Sequence, residues 1–286
     1  MTRPIDQAWN LQQRWSSAAN AAHDTIGRAR RANLALLVAA AIAGAIGGVA
    51  HETTAVVRTM AVLSATLLGS AGVLQQRVLA RANVGRWVAL RTASETLKAA
   101  VWHDLALGRA DDDAAGAAIS ALIDEVQAGT APFADALLAP VAAAKPLPDV
   151  ADLAGYRVRR ADSQAGWHRD KATTLLQTAR RLRNAELLGT IAGVAVSAAA
   201  ATFASSVLTP IVSALTTVAA TIAAHLSAAK YERVAAGYAA TTIALERAGE
   251  LLVSNPNEAE TSAFVGAVEA ILTRQNDAWL TLLSED

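Results

Sequence analysis

The sequence predicts an all-α membrane protein with two transmembrane helical hairpins, four spans in all, and long amphipathic helices that form a cytoplasmic helical bundle. Three observations predict it. Apolar residues make up 53% of the 286 and aromatics only 4%, and alanine, the best helix former, supplies much of the apolar share. From Leu187 to Ala229 there is no Asp, Glu, Lys or Arg. Basic residues gather on the outer flanks of this run and of a similar pair upstream.

A bilayer core about 30 Å thick takes about 20 helical residues to cross. The uncharged run is long enough for two crossings, from about 187 to 207 and from 211 to 229. Pro210 falls where the turn belongs, because proline suits the first turn of a helix. Upstream, residues 32–50 and 59–76 form a second uncharged pair, joined by "HETTAVVR" with His51, Glu52 and Arg58.

These spans are weakly hydrophobic, so a soluble bundle with buried, alanine-rich helices is the competing reading. In the first span Leu34, Leu36, Leu37, Val38, Ile42, Ile46 and Val49 are the strong insertion residues. At roughly 0.3 to 0.6 kcal/mol each they favour insertion by about 2 to 4 kcal/mol. Charge layout decides for the membrane. Arg28, Arg30 and Arg31 precede the first span, and Arg77, Arg81 and Arg86 follow the second. Arg180, Arg181 and Arg183 precede the third, and Lys230 and Arg233 follow the fourth. Between the members of each pair only Arg58 is basic. This excess of basic residues on one side places both termini and the central segment in the cytoplasm. The N-terminus has no short apolar core with a small-residue cleavage site, so it is not read as a secretory signal.

Each hairpin belongs to a longer repeat. Trp15 precedes Arg28 and Arg31 by the spacing at which Trp167 precedes Arg180 and Arg183. Trp87 and Glu95 align with Tyr238 and Glu246, while Thr242 and Gly249 stand where Arg91 and Lys98 would align. Each half therefore reads as a lead-in helix, two spans and an exit helix that continues out of the bilayer. The units are 1–110, an acidic and proline-containing connector 111–150 with a short helix near Ala114 to Gln127, and 151–286 with a C-terminal amphipathic helix. On that last helix Phe264, Val268, Leu272 and Trp279 take the buried side. The lead-in helix puts Leu11, Trp15, Ala18, Ala22, Ile26 and Ala29 on one face.

The exit segment "RWVALRTASETLKAAVW", with Trp87, Arg91, Glu95 and Lys98, resembles that of SLATT-domain proteins, the SMODS- and SLOG-associating two-transmembrane effectors. The entry segment "GWHRDKATTLLQTARRLRNAELLG", with Trp167, Lys171 and Arg183, resembles that of another SLATT subtype. Tandem proteins of this kind are also grouped as domain of unknown function number 4231. The resemblance implies an effector in the bacterial inner membrane, acting in an antiphage conflict system. A neighbouring enzyme, a nucleotidyltransferase or TIR-type protein, makes a nucleotide signal, and the effector oligomerises into a homo-oligomer that forms a pore or disrupts the lipid bilayer. The alternative is a non-conducting membrane scaffold that docks a cytoplasmic partner.

The residues themselves offer no enzyme. With no cysteine, disulfides, thiolate zinc sites and cysteine nucleophiles are excluded. His23, His51, His103, His168 and His225 share no metal-ligand spacing, and His103 and His168 read as solvated. No phosphate-cradling glycine loop occurs, so no catalytic residue, cofactor or metal is expected. With 25 basic and 25 acidic residues, no net field draws the chain to nucleic acid. Arg91, Glu95 and Lys98 fit a salt-bridge ladder on a helix surface. Inside the spans, Ser213, Thr217, Thr221 and His225 recur every four residues, and Thr190 and Ser197 share the preceding span. These hydroxyls either bond to their own helix or line a pore. Gly44 with Gly48, and Gly189 with Gly193, form G-x-x-x-G pairs that admit close helix contact.

Overall fold

The computed structural model describes residues 2–50, 53–138, 145–150 and 152–284. Among them there is no strand. The helices are α1 (Pro4–Val49), α2 (Thr54–Arg77), α3 (Arg81–Ala106), α4 (Asp113–Thr130), α5 (Leu153–Tyr156), α6 (Ser163–Thr202), α7 (Thr209–Ala229), α8 (Tyr231–Glu250) and α9 (Glu258–Ser284). A 3₁₀ segment, Ala131–Leu138, follows α4, and a π-helical turn, Arg157–Asp162, joins α5 to α6. Side-chain caps fix several starts. Asp112 accepts from Ala115 N–H at 2.9 Å and Asp152 from Gly155 N–H at 2.7 Å. At α9, Asn257 and Glu260 exchange side-chain-to-backbone bonds of 2.9 and 2.8 Å, a reciprocal capping box.

Among the described residues, four helical stretches are long and apolar enough to cross a membrane, lying in α1, α2, α6 and the α7–α8 segment. Their apolar side chains stay uncovered by protein: Val62, Val73, Leu187, Leu188, Ile191 and Val194 are all exposed. This is an all-α membrane protein.

The helix ends differ in three places from the sequence reading. The third span stops at Thr202 rather than near Val207, because the chain turns at Phe203–Ser205 with Ala204 at φ +47° and then makes the 3₁₀ turn Ser206–Leu208. Pro210 does sit in the first turn of α7. The second span begins at Thr54, so Arg58 lies inside α2; His51 and Glu52 lie outside the described residues. The exit helices do not continue from the spans. Residues 78–80 separate α2 from α3, and Lys230, left-handed at φ 49°, ψ 32°, closes α7 by donating its N–H to Leu226 O. The entry helices, by contrast, run into the spans without a break as α1 and α6.

The chain forms two compact units that each draw on both sequence halves. One comprises 1–24, 81–173 and 234–286; the other comprises 25–80 and 174–233. In the first, α3 is enclosed: Trp87, Leu90, Ala93, Ser94, Leu97, Val101 and Trp102 are buried. Ile119 and Ile123 of α4 are buried too, so α4, which the sequence assigns to the connector, belongs to this core. Around Trp102 and Tyr156 the core continues through Leu245 of α8 and Phe264, Val265 and Val268 of α9.

In the second unit small side chains set the helix contacts. A Cβ on Gly189 or Gly193 would meet Ala219 Cβ at 3.6 Å and Leu215 Cβ at 3.7 Å, so this pair packs α6 on α7 within one hairpin. Gly44 faces Ser64 Oγ of α2 at 3.9 Å, and Ser64 donates to Ala40 O at 3.0 Å. Gly48 faces the Pro210 ring, which would stand only 2.6 Å from an added Cβ. Gly48→Ala should therefore destabilise the detergent-solubilised protein by about 1–3 kcal/mol, since a proline ring has no rotamer to escape into. Gly189→Ala and Gly193→Ala reach ordinary contact distance and should stay within about 0.5 kcal/mol. Thermal unfolding of the three variants checks the ranking.

Candidate functional site

The polar residues of the first unit converge inside it. The π-helical turn brings Arg160 inward, to 2% exposure. Its Nε and Nη2 donate to Glu269 Oε1 and Oε2 at 2.9 and 2.6 Å. Tyr156 O–H adds a third bond to Oε1 at 2.8 Å. The Trp102 ring lies 5.5 Å from the guanidinium carbon, so Arg160 has a carboxylate partner and an aromatic face. Burial pushes the Tyr156 hydroxyl far up, and the Glu269 carboxylate pushes it further.

Glu95 and Lys98 lie within electrostatic range of Arg160, and Lys98 also of Glu269; Arg91 joins them on α3. Arg91 Nη2 stands 2.9 Å from Glu95 Oε1, and Lys98 Nζ 3.6 Å from Oε2. The triad is the ladder its spacing suggests, but not on a surface: the three side chains are only 26, 21 and 23% exposed. The reason is that α3 is covered on both of its faces. Burial pushes Glu95 up, yet Lys98, Arg91 and Arg160 outweigh it and hold the carboxyl below its ordinary value. Burial pushes Lys98 down against the pull of Glu95. Among the described residues, Glu95 Oε1 has the ion pair with Arg91 but no hydrogen bond, and the buried indole N–H groups of Trp15 and Trp102 find no acceptor. Next to this triad, Gln12 donates to Ser94 Oγ at 3.1 Å, both buried.

His168 corrects the solvated reading. It is 2% exposed, and its Nδ1–H donates to Gln164 O at 2.7 Å. Desolvation lowers its pKa, against its hydrogen bonds to Gln164 and Gln275, which raise it. His103 remains half-exposed beside Asp104, itself mostly buried, at 3.2 Å. Trp167 packs edge-on against Tyr238 at 5.5 Å, and Lys171 Nζ lies 5.7 Å from the Trp167 ring. Trp87 packs on Trp279 at 4.6 Å. In the second half, Thr242 donates to Tyr238 O at 3.0 Å, and Glu246 pairs with Arg169. The polar face of the first half is thus not reproduced there. Arg183 belongs to the other unit, pairing with Glu232 at 2.8 Å.

Sequence reading missed Arg160, Tyr156, Glu269 and the burial of His168. Glu269 carried a signal: it is a carboxylate flanked by Val265, Val268 and Leu272 on an otherwise apolar helical stripe. Arg160 carried none, because its inward direction is created by the π turn.

In the second unit, Ser213, Thr217 and Thr221 line a groove of about 290 Å³ with Ser64, Gly44 and Pro210 among its walls. Each hydroxyl donates to the carbonyl four residues back: Ser213 to Thr209 at 3.2 Å, Thr217 to Ser213 at 2.7 Å, and Thr221 to Thr217 at 2.7 Å. Thr190 does the same to Glu186 at 2.9 Å. Such a hydroxyl has spent its proton but keeps oxygen lone pairs for a donor or cation. His225 Nε2 lies 3.2 Å from Tyr231 Oη instead of in the groove wall. Ser197 is exposed and outside the groove.

Two family models match the chain. Residues 156–279 match the one described as SMODS and SLOG-associating 2TM effector domain 1, and residues 13–109 match the protein of unknown function DUF4231. No curated protein and no solved structure matches.

Glu269→Gln should cost about 3–5 kcal/mol, because it leaves Arg160 buried without its counter-charge. Tyr156→Phe should cost about 1 kcal/mol. Replacing both Arg160 and Glu269 by Met and Leu should recover much of the loss. Denaturant unfolding followed by tryptophan fluorescence reads all three; equal costs for the two single variants would show that the charge pair is not the main tie.

Stability should also fall with acid. His168 stays neutral in the fold while the unfolded chain binds a proton near pH about 6.5, so its contribution is complete above that pH and shrinks below it. His23, also lowered by desolvation, adds in the same direction. His168→Phe should flatten the stability profile between about pH 7 and 5 relative to the parent.

Proposed function

This chain carries a SLATT two-transmembrane effector domain in its second half and a DUF4231 unit in its first, and on that footing we propose that it is the inner-membrane effector of a nucleotide-signal-linked antiphage system. In this reading it oligomerises to open a pore, with both termini in the cytoplasm. The signal comes from a nucleotidyltransferase or TIR-type enzyme encoded nearby.

The observation that carries the pore is the groove in the apolar unit. Three hydroxyl oxygens on α7 and a fourth on α2 border it. Oxygen lone pairs in a small-residue groove can replace part of an ion's hydration shell. One groove of about 290 Å³ is not a channel, so several copies must bring their grooves together. The folded unit with its buried charges supplies the element on which a signal acts. α1 and α6 each contribute unbroken helix to both units.

A second reading has its own observation. The hydroxyls that border the groove already bond to their own helix, which suits packing without conduction. The chain would then be a scaffold that docks a cytoplasmic partner.

Dye release from liposomes carrying the purified protein, with and without the nucleotide product of the neighbouring enzyme, separates the two. The pore reading expects release on signal; vesicles that stay sealed under activating conditions would leave the scaffold. Within the pore reading, Thr217→Leu should insert normally, since leucine favours the bilayer core, yet reduce signal-dependent release about tenfold or more by drying the groove. Val218→Leu should be nearly silent. The reverse pattern would place the path on another face. Orientation is checked with single introduced cysteines, the chain having none of its own: Arg31→Cys should be labelled only after the membrane is breached in intact-cell assays.

A further inference from the structure

Most of the basic residues of the second unit flank its apolar runs on the side away from Arg58. Arg28, Arg30 and Arg31 lie in α1 before its apolar run, Arg180 and Arg181 in α6 before the next, and Arg233 just after α7. Arg28, Arg31, Arg180, Arg181 and Arg233 are exposed, and Arg30 is half-buried. No ion pair is formed by any of these six among the described residues, and Arg28 reaches only the Thr25 hydroxyl, at 3.3 Å. The acids available nearby are few: Glu232 is taken by Arg183 at 2.8 Å, and Glu186 stands alone in the sequence from 174 to 231. Two of them come close to the junction of α7 and α8. Arg30 and Arg31 both act electrostatically on Tyr231, and Arg30 also acts on His225. Those two rings touch, 6.0 Å between centroids, at the junction of α7 and α8.

We propose that this end of the second unit binds the phosphates of anionic lipid headgroups, with Arg30, Arg31, Arg180, Arg181 and Arg233 as the donors. The inference rests on the membrane reading but not on conduction. Guanidinium favours phosphate through paired, planar donors. The apolar runs of α1 and α6 follow their arginines within a turn or two and that of α7 ends just before Arg233, which sets the guanidinium groups at headgroup depth. Tyr231 and His225 suit that depth as well, each with an apolar body and a polar tip. Exposed arginines without acids gain most from an external anion, because no internal pair has to be broken first.

The test uses the full chain in detergent with mixed phosphatidylcholine and phosphatidylglycerol, and reads the ratio of the two lipids retained by native mass spectrometry. The wild type should retain phosphatidylglycerol preferentially, and the preference should weaken in high salt. Arg30→Gln with Arg31→Gln, and separately Arg180→Gln with Arg181→Gln, should each lower the preference, by about fivefold for each arginine removed. Arg58→Gln, in a basic residue beyond the opposite end of the apolar run, should leave it unchanged. Carbonate extraction reports insertion independently, so loss of the lipid preference is not confused with failure to enter the membrane. Absence of a preference in the wild type, or a preference in both double variants as strong as that of the wild type, overturns the assignment. Displacement of retained phosphatidylglycerol by millimolar inorganic phosphate would also overturn it, identifying a site for free anions instead of lipid.

Discussion

Backbone hydrogen bonding is the constraint from which the rest follows. In hydrocarbon there is no water to satisfy an N–H or C=O, so a spanning segment must satisfy them all within itself. The spans are accordingly helices, and the breaks fall outside the apolar stretches: at 78–80, at Phe203–Ser205 and at Lys230. Ser213, Thr217, Thr221 and Thr190 obey it too, returning their protons to carbonyls of their own turn, while Ser64 gives its proton to Ala40 of the neighbouring helix. The price in hydropathy is small, because a hydroxyl bonded in this way exposes little uncompensated polarity.

Alanine and glycine give the second unit its helix contacts at short range, but they bury little area per residue. Gly48 against Pro210 and Gly189 with Gly193 against α7 show how such contacts are specified: by the absence of a side chain, not by the presence of a large one. The first unit works differently. There the large side chains, Trp15, Trp87, Trp102 and Tyr156, surround α3, and a bidentate arginine–carboxylate pair crosses from the π turn to α9. Removing one partner of that pair is costly because the other remains desolvated, so the pair fixes which way α5 and the π turn dock on α9.

The repeat in the sequence and the units in space are not the same division. Each family model falls within one sequence half, yet each compact unit takes residues from both halves. The flanking helices of one half cannot bury their apolar faces alone, and the flanks of the other half are the available partner. The same logic explains why the two halves are not copies in detail. Where the first half has Arg91 and Lys98, the second has Thr242 and Gly249, so the buried charge of the first unit comes from α3, the π turn and α9 rather than from a symmetric arrangement.

By itself the sequence determined the helical class, the four apolar runs, the place of Pro210 and the segregation of arginine to the flanks. All of these follow from composition and from periodicity along one helix, which are local properties. The same locality made the G-x-x-x-G pairs and the Arg91–Glu95–Lys98 ladder legible as spacing. Their surroundings were not legible, because burial depends on what other helices cover. Only the tertiary structure decided that the ladder lies in an enclosed helix, that His168 is dry, and that Gly48 meets a proline across the two hairpins. It also decided that Glu269, a lone carboxylate on an apolar stripe, has Arg160 for its partner. That pairing joins residues more than a hundred positions apart, and it depends on a π turn that shifts the helical register, which no 3.6-residue pattern encodes.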